Sequence, residues 1–361
     1  MQGSTGGWAA QALCDQIMND SSPLLRIALA GCGGVVRRYR RTYKTLPGVQ
    51  VVAAVDANEA EAQQAAAELG ASRVSTQFAD ALGADVDAVV ISTPNHLHAE
   101  HAIAAFQAGK HVLLQKPMAR TAVECDAILA AQRAAGKRLG VYMNLLDHPL
   151  FRDMRRLVAE GKLGNVALFS ARLAHRGGLG WGGVGQNWRA SKESTGGGSF
   201  IQLGVHYQHL MRWLLGQEIN SVQAMATNFA CPHLEGDDLM LVQYRLSKGS
   251  LGEIQTSWCC LEEHVSLLGT KGSIHYRDNS VVEYTAETGP FEGEFLKVKG
   301  DGSFERFENR LAPEWDDAAN PYNQHRRFCE ALQKGENPEV TGDDAREDIR
   351  VVEACYAGVK A

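Results

Sequence analysis

A chain of 361 residues is long for one hydrophobic core and comfortable for two domains. With 45% hydrophobic and 22% charged residues it has an ordinary globular composition. A net charge of −6 and no basic stripe with interleaved aromatics argue against a nucleic-acid partner, and no run of about 18 apolar residues is present to span a membrane.

Residues 1–23 lack the basic start and compact apolar core of a secretory signal and read as an N-terminal extension. Eight scattered cysteines, without metal-type pairs, read as reduced thiols filling a core. A cytoplasmic protein is expected, with no metal.

Leu24 to Ala30 reads as a buried parallel strand. Gly31, Gly33 and Gly34 follow, then Val35 and a basic amphipathic helix. Glycines there permit a tight turn and close approach of a pyrophosphate to a helix N-terminus, although Val36 stands where a third glycine would fall. Val49 to Val55 is a second strand ending at Asp56. That carboxylate is placed to accept hydrogen bonds from both ribose hydroxyls and to repel a 2′-phosphate, favouring NAD over NADP. The bland alternative is that Asp56 caps a helix starting near Glu59.

Strands over Asp87 to Ser92, His111 to Leu114 and Leu139 to Met143 alternate with helices over Glu59 to Leu69, Leu97 to Ala108 and Ala122 to Ala135. This predicts a doubly wound α/β fold with ligands at the carboxyl ends of the strands. Two such ends carry Thr93, Pro94, Asn95 and His98, and Gln115, Lys116 and Pro117. A lysine just past a buried strand is suited to a desolvated role with a lowered pKa.

Later in the chain Phe151 to Glu160 reads as a helix and Val166 to His175 as a strand. A glycine-rich loop follows from Arg176 to Gly198, carrying Trp181 and Trp188. Its length suggests a lid whose indoles cover a sugar face, with His175, Arg176 and Arg189 meeting hydroxyls. A helix begins after Gly198, with Ser199 as N-cap and Gln202, His206 and His209 on one face. Such a polar row is either a satisfied buried network or a site. Strand signals then run from Ile219 to Tyr284 as an antiparallel meander. Tyr244 and Trp258 are expected on an exposed face that serves a homo-oligomer interface. Phe291 to Trp315 is charged and irregular, and helices over Pro321 to Gln333 and Asp343 to Val359 close the chain.

These motifs, in their order and spacing, resemble the Gfo/Idh/MocA family of NAD(P)-dependent oxidoreductases. The resembling pieces include Ala30 to Gly34, Ala54 to Asp56, Thr93 to His98, Gly109 to Pro117, Asn187 to Arg189, Gly196 to His206 and Val340 to Arg346. The resemblance implies a Rossmann domain (24–143) and an α/β domain with an open, mostly antiparallel sheet (144–361). A pocket for a sugar, cyclitol or related polyol would lie between them. It makes Lys116 and His206 the catalytic pair and puts Trp188 and Arg189 near the nicotinamide. Asn144, His175, Gln202 and His209 would meet substrate. Gln115, Gln202 and His209 stand where the family commonly has acids. The expected reaction is NAD-dependent hydride transfer at a secondary alcohol. The alternatives are glycoside cleavage through transient oxidation, metal-assisted chemistry through His206 and His209, and a non-catalytic NAD sensor.

Overall fold

The computed structural model describes residues 24–277, 280–294, 296–297 and 320–359. The N-terminal extension and most of Phe291 to Trp315 lie outside the described residues.

The first half builds a six-stranded parallel sheet. Its strands are β1 (Leu25–Ala30), β2 (Val49–Val55), β3 (Arg73–Ser75), β4 (Ala88–Ile91), β5 (His111–Gln115) and β6 (Leu139–Tyr142). Their order is β3-β2-β1-β4-β5-β6. Strand order reverses between β1 and β4, and that switch point opens a crevice at their carboxyl ends. Apart from Arg26 at the start of β1, the central strands β1 and β4 are apolar because helices cover both faces. Those helices are α1 (Val36–Thr45), α2 (Glu59–Leu69), α3 (Asn95–Gln107) and α4 (Ala122–Ala135). Thr121 caps α4 by accepting from the Glu124 N–H, and Gly136 ends it in the left-handed conformation. Strand β3 was not anticipated; three residues are too few to show periodicity.

After α5 (Pro149–Ala159), the second sheet collects β7 (Val166–Ala174), β8 (Ile219–Thr227), β9 (Leu239–Leu246), β10 (Leu251–Ser257), β11 (Glu262–Gly269), β12 (Gly272–Arg277) and β13 (Ser280–Ala286). The order is β13-β12-β11-β7-β10-β9-β8. The meander expectation therefore needs correction. β7 enters between β11 and β10 and runs parallel to β10, while the other pairs are antiparallel. A strand reached through the long loop and helix between β7 and β8 is free to take a central place that a hairpin could not give it.

Tyr244 and Trp258 also depart from expectation. They are 2% and 1% exposed, inside rather than on an outer face. The two-residue period explains Tyr244, which shares the inner face of β9 with Met240 and Val242. That face packs on α6 (Val205–Leu215), which carries the histidines. The outer face instead shows Leu241 and Leu251.

Two closing helices, α7 (Gln324–Lys334) and α8 (Gly342–Gly358), join the halves. The Val141 N–H of β6 donates to Val340 O at 3.1 Å, and Tyr43 of α1 meets His325 Nδ1 at 2.7 Å. On the other side Tyr356 donates to Asp237 Oδ1 at 2.8 Å and accepts from Gly198 N at 2.9 Å. Gly198 has to be glycine, because a Cβ there would stand 2.2 Å from the Asp237 backbone. Asp348 of α8 is wholly buried between His209 Nδ1 and the Arg212 guanidinium, each at 2.7 Å. Burial alone would raise its pKa, but these two partners hold the carboxyl below its ordinary value. Its stabilising contribution is thus present above the unfolded value and lost as pH falls through the folded one. Asp348→Ala should cost about 3–5 kcal/mol in urea unfolding, because it strands partners in the core. A loss within experimental error would show that the cluster is not a structural tie.

Candidate active site

The glycine turn after β1 fits a dinucleotide phosphate. Gly31 has φ +90°, and a Cβ there would lie 2.6 Å from the Ser92 backbone. Above Gly33 and Gly34 nothing stands within 4 Å of where a Cβ would be, so the space over the turn is open. No side chain caps α1 and its first turn holds no acid, which leaves that helix N-terminus to an anion. Asp56 accepts from Cys32 N at 2.6 Å and from Asn58 N at 2.8 Å. Asn58, not Asp56, caps α2. An ionised carboxylate has about four acceptor positions, so each Asp56 oxygen keeps capacity for a ribose hydroxyl.

At the end of β5, Lys116 leans across the seam. Its Nζ donates to the Gln202 carbonyl at 2.9 Å. Burial, and secondarily the positive charge of Arg189, lower its pKa to about 7. The carbonyl belongs to a π turn, Phe200–Gly204, that opens the helical run into α6. Such wide turns interrupt the regular ladder and recur at functional sites. Ser199 is itself helical and caps nothing, contrary to expectation; its hydroxyl donates to Asp237 Oδ2 at 2.7 Å.

Lys116, Gln202 and His206 open on a cleft of about 560 Å³. Val35, Thr93, Asn95, Gln115, Asn144, Trp188 and Arg189 also line it. His206 is held well below its ordinary pKa by burial, then by Lys116 and His209, and its Nδ1 has no partner. Gln202 Nε2 is likewise buried and unpartnered. Trp188 sits on the glycine-rich loop after β7, with the Arg189 guanidinium 4.5 Å from its ring centroid.

Other expected site residues stand behind this wall. Pro94 precedes α3. His98 is fully buried, with its ring nitrogens 2.8 Å from Thr93 O and Pro117 O. Burial lowers its pKa to about 4. It packs between the two strand-end loops, where the neutral ring can donate to one of the two carbonyls, instead of facing the cleft. His175 accepts from Gly177 N at 3.0 Å at the start of the lid and is not part of the cleft lining. His209 requires a correction as a substrate ligand. The helix rotates it past His206, away from the cleft and onto Asp348. Tyr39, Ser92, Tyr142 and Asp147 line the cleft without having been foreseen. Asp147 accepts from Tyr142 at 3.1 Å and from Gln324 N at 3.0 Å. Its contact with α7 bridges 177 residues of sequence, so no local pattern announces it.

A switch-point crevice with a phosphate-ready glycine turn, faced by a lysine and a histidine, defines a dinucleotide-dependent oxidoreductase. Residues 25–143 match the oxidoreductase family with NAD-binding Rossmann fold, and residues 151–275 match the GFO/IDH/MocA C-terminal domain. The chain belongs to this NAD-binding Gfo/Idh/MocA family, as the motifs implied. It is 29% identical over 252 residues to 1,5-anhydro-D-fructose reductase of Ensifer adhaerens, covering 69% of this chain and 74% of that one. It is 35% identical over 208 residues to inositol 2-dehydrogenase 1 of Saccharopolyspora erythraea, covering 56% of this chain and 58% of the relative. A levoglucosan dehydrogenase complexed with NADH and levoglucosan shares the fold, with a TM-score of 0.80 at 20% identity, over 92% of this chain and 96% of that one.

Because burial favours the neutral Lys116 amine, the folded chain binds fewer protons than the unfolded chain between about pH 7 and the ordinary lysine value of 10.5. Stability gains from this group as pH rises through that window, and the destabilisation is fully present below it. Lys116→Met should remove this slope. Urea midpoints for wild type and variant that run parallel from about pH 7 to about pH 10 would contradict the lowered pKa.

Proposed function

We propose that this protein interconverts a secondary alcohol and a ketone of a sugar, cyclitol or glycoside, using NAD. The observation that carries the reading is the reach of Lys116 onto the Gln202 carbonyl beside His206, in a cleft bordered by the glycine turn. The named substrates of the relatives, inositol and anhydrofructose, support a polyol.

Gly31, Gly33, Gly34, Val35 and Asp56 would hold NAD, which when bound would supply the acceptor for the hydride leaving the carbinol carbon. The hydroxyl proton goes to His206, which burial keeps in the neutral form and whose Nδ1 has no partner. Lys116, with a pKa of about 7, donates a hydrogen bond to the same oxygen and stabilises its developing negative charge. Asn144 and Gln202 hold other hydroxyls, and the lid with Trp188 excludes water. In the reverse direction His206 returns the proton.

NADH absorbance over a panel of sugars, cyclitols and glycosides tests this. Lys116→Ala and His206→Ala should each lower kcat by about 10²–10⁴-fold with NAD+ binding retained. Undiminished turnover in either variant would remove that residue from the chemistry.

We also infer a homo-oligomer joined through the outer face of the second sheet. Leu168, half-buried on β7, lies in register with Leu251 on one side and Leu268 on the other. Met225 lies opposite Leu241. Met225, Leu241, Leu251 and Leu268 are exposed, and such rows favour a partner surface. Light scattering should give a multiple of the 39.2 kDa chain mass. Leu251→Glu should shift that value toward the monomer, and an unshifted mass would point to another surface.

A further inference from the structure

The arginines of α1 differ in what already holds them. Arg37, Arg38 and Arg41 line the cleft. Arg41 Nε lies 3.5 Å from Glu68 Oε1, a loose pair. Arg37 is held at two points. Its Nε donates to Glu61 Oε2 at 3.2 Å and its Nη2 donates to Glu61 Oε1, so the guanidinium fork is closed on one carboxylate. The Glu61 side chain is 19% exposed and that of Arg37 49%, which makes the acid the better-anchored member. Glu61 shares the first turn of α2 with Glu59. Asp56 meets the entry to that turn, accepting from Asn58 N at 2.8 Å. One thiol senses both ends of this corner. Burial, and then the charge of Asp56, push Cys32 up to about 12, and Glu61 adds to the effect.

A helix N-terminus ordinarily attracts phosphate. Here the start of α2 carries acids, and the cleft arginine that reaches it is already neutralised. The ribose 2′-oxygen is one of those Asp56 is placed to hold, so a 2′-phosphate would stand at this corner, where an arginine is the group that accommodates it in NADP-binding Rossmann domains. This chain has the arginine and has closed it. We propose that Glu61 is a cofactor-specificity residue, which holds Arg37 away from a 2′-phosphate so that exclusion of NADP rests on an occupied cation as well as on Asp56. Arg38, which has no ion pair among the described residues, is left to the pyrophosphate that both cofactors share. The inference needs dinucleotide binding alone and does not depend on which alcohol is oxidised.

NADH and NADPH are titrated into the full chain, with Kd read from nicotinamide fluorescence. Glu61→Gln keeps the shape of the side chain and removes its charge. It should tighten NADPH about 5- to 20-fold, the effect of a freed charge-assisted contact, and leave the NADH Kd within about twofold of wild type. An exposed ion pair adds little to folding, so the urea midpoint should stay close to that of wild type. In an Arg37→Gln background the same exchange at Glu61 should tighten NADPH by at most about twofold, because the cation it would release is gone. A full gain in that background would assign the effect to repulsion by Glu61 alone and overturn the clamp. No gain for NADPH in Glu61→Gln, or an equal gain for NADH, would overturn it as well. Wild type gives a test that needs no variant: 2′,5′-ADP should displace NADH less well than 5′-AMP. Displacement by 2′,5′-ADP as good as by 5′-AMP would show Arg37 already open to the phosphate, against the proposal.

Discussion

One hydrogen bond, from Lys116 Nζ to the Gln202 carbonyl, joins the two sides of the cleft wall. It crosses from the end of a parallel strand to the first turn of the helix carrying His206. The sheet supplies the donor at its switch point, where the strands stop and a crevice begins. The acceptor lies in a π turn, so the bond depends on an irregularity in the partner element. Burial of the amine is what brings its pKa toward neutrality. The same burial keeps His206 neutral. Burial thus lowers both pKa values and favours the uncharged form of each group.

That seam is stiffened from behind. α8 touches the glycine triplet through Tyr356 and the histidine helix through Asp348, whose two oxygens hold His209 and Arg212. His98 packs between the loops after β4 and β5. These groups fix the positions of the residues that face the cleft, while the lid carries the remaining wall. The buried polar row on α6 is therefore both things it could have been. Gln202 and His206 line the cleft, and His209 belongs to a satisfied network.

Much of this was legible in the sequence. The apolar runs of β1, β2 and β5, the glycines after β1, and the lysine–proline pair after β5 are local signals, and the parallel sheet follows from their alternation. The fate of His209 was not legible, because its partner Asp348 is 139 residues away and only packing unites them. Trp258 misled for a related reason: an aromatic at the end of a strand gives no sign of which side the lid will close on. Asp147 went unseen since a carboxylate in a short loop resembles any turn residue. The insertion of β7 between β11 and β10 is likewise a matter of topology, which periodicity cannot encode.

The closing segment has an architectural consequence. Val340 hydrogen-bonds the edge of the nucleotide-binding sheet, His325 meets α1, and Tyr356 and Asp348 grip the other half. The last stretch in sequence is thus common property of both halves in space. A chimera that exchanges the cofactor-binding half at the natural crossing near Met143 would leave Asn320–Val359 fitted to a sheet that is no longer there. Modular recombination of this chain therefore has to transplant a discontinuous unit, the beginning of the polypeptide together with its end.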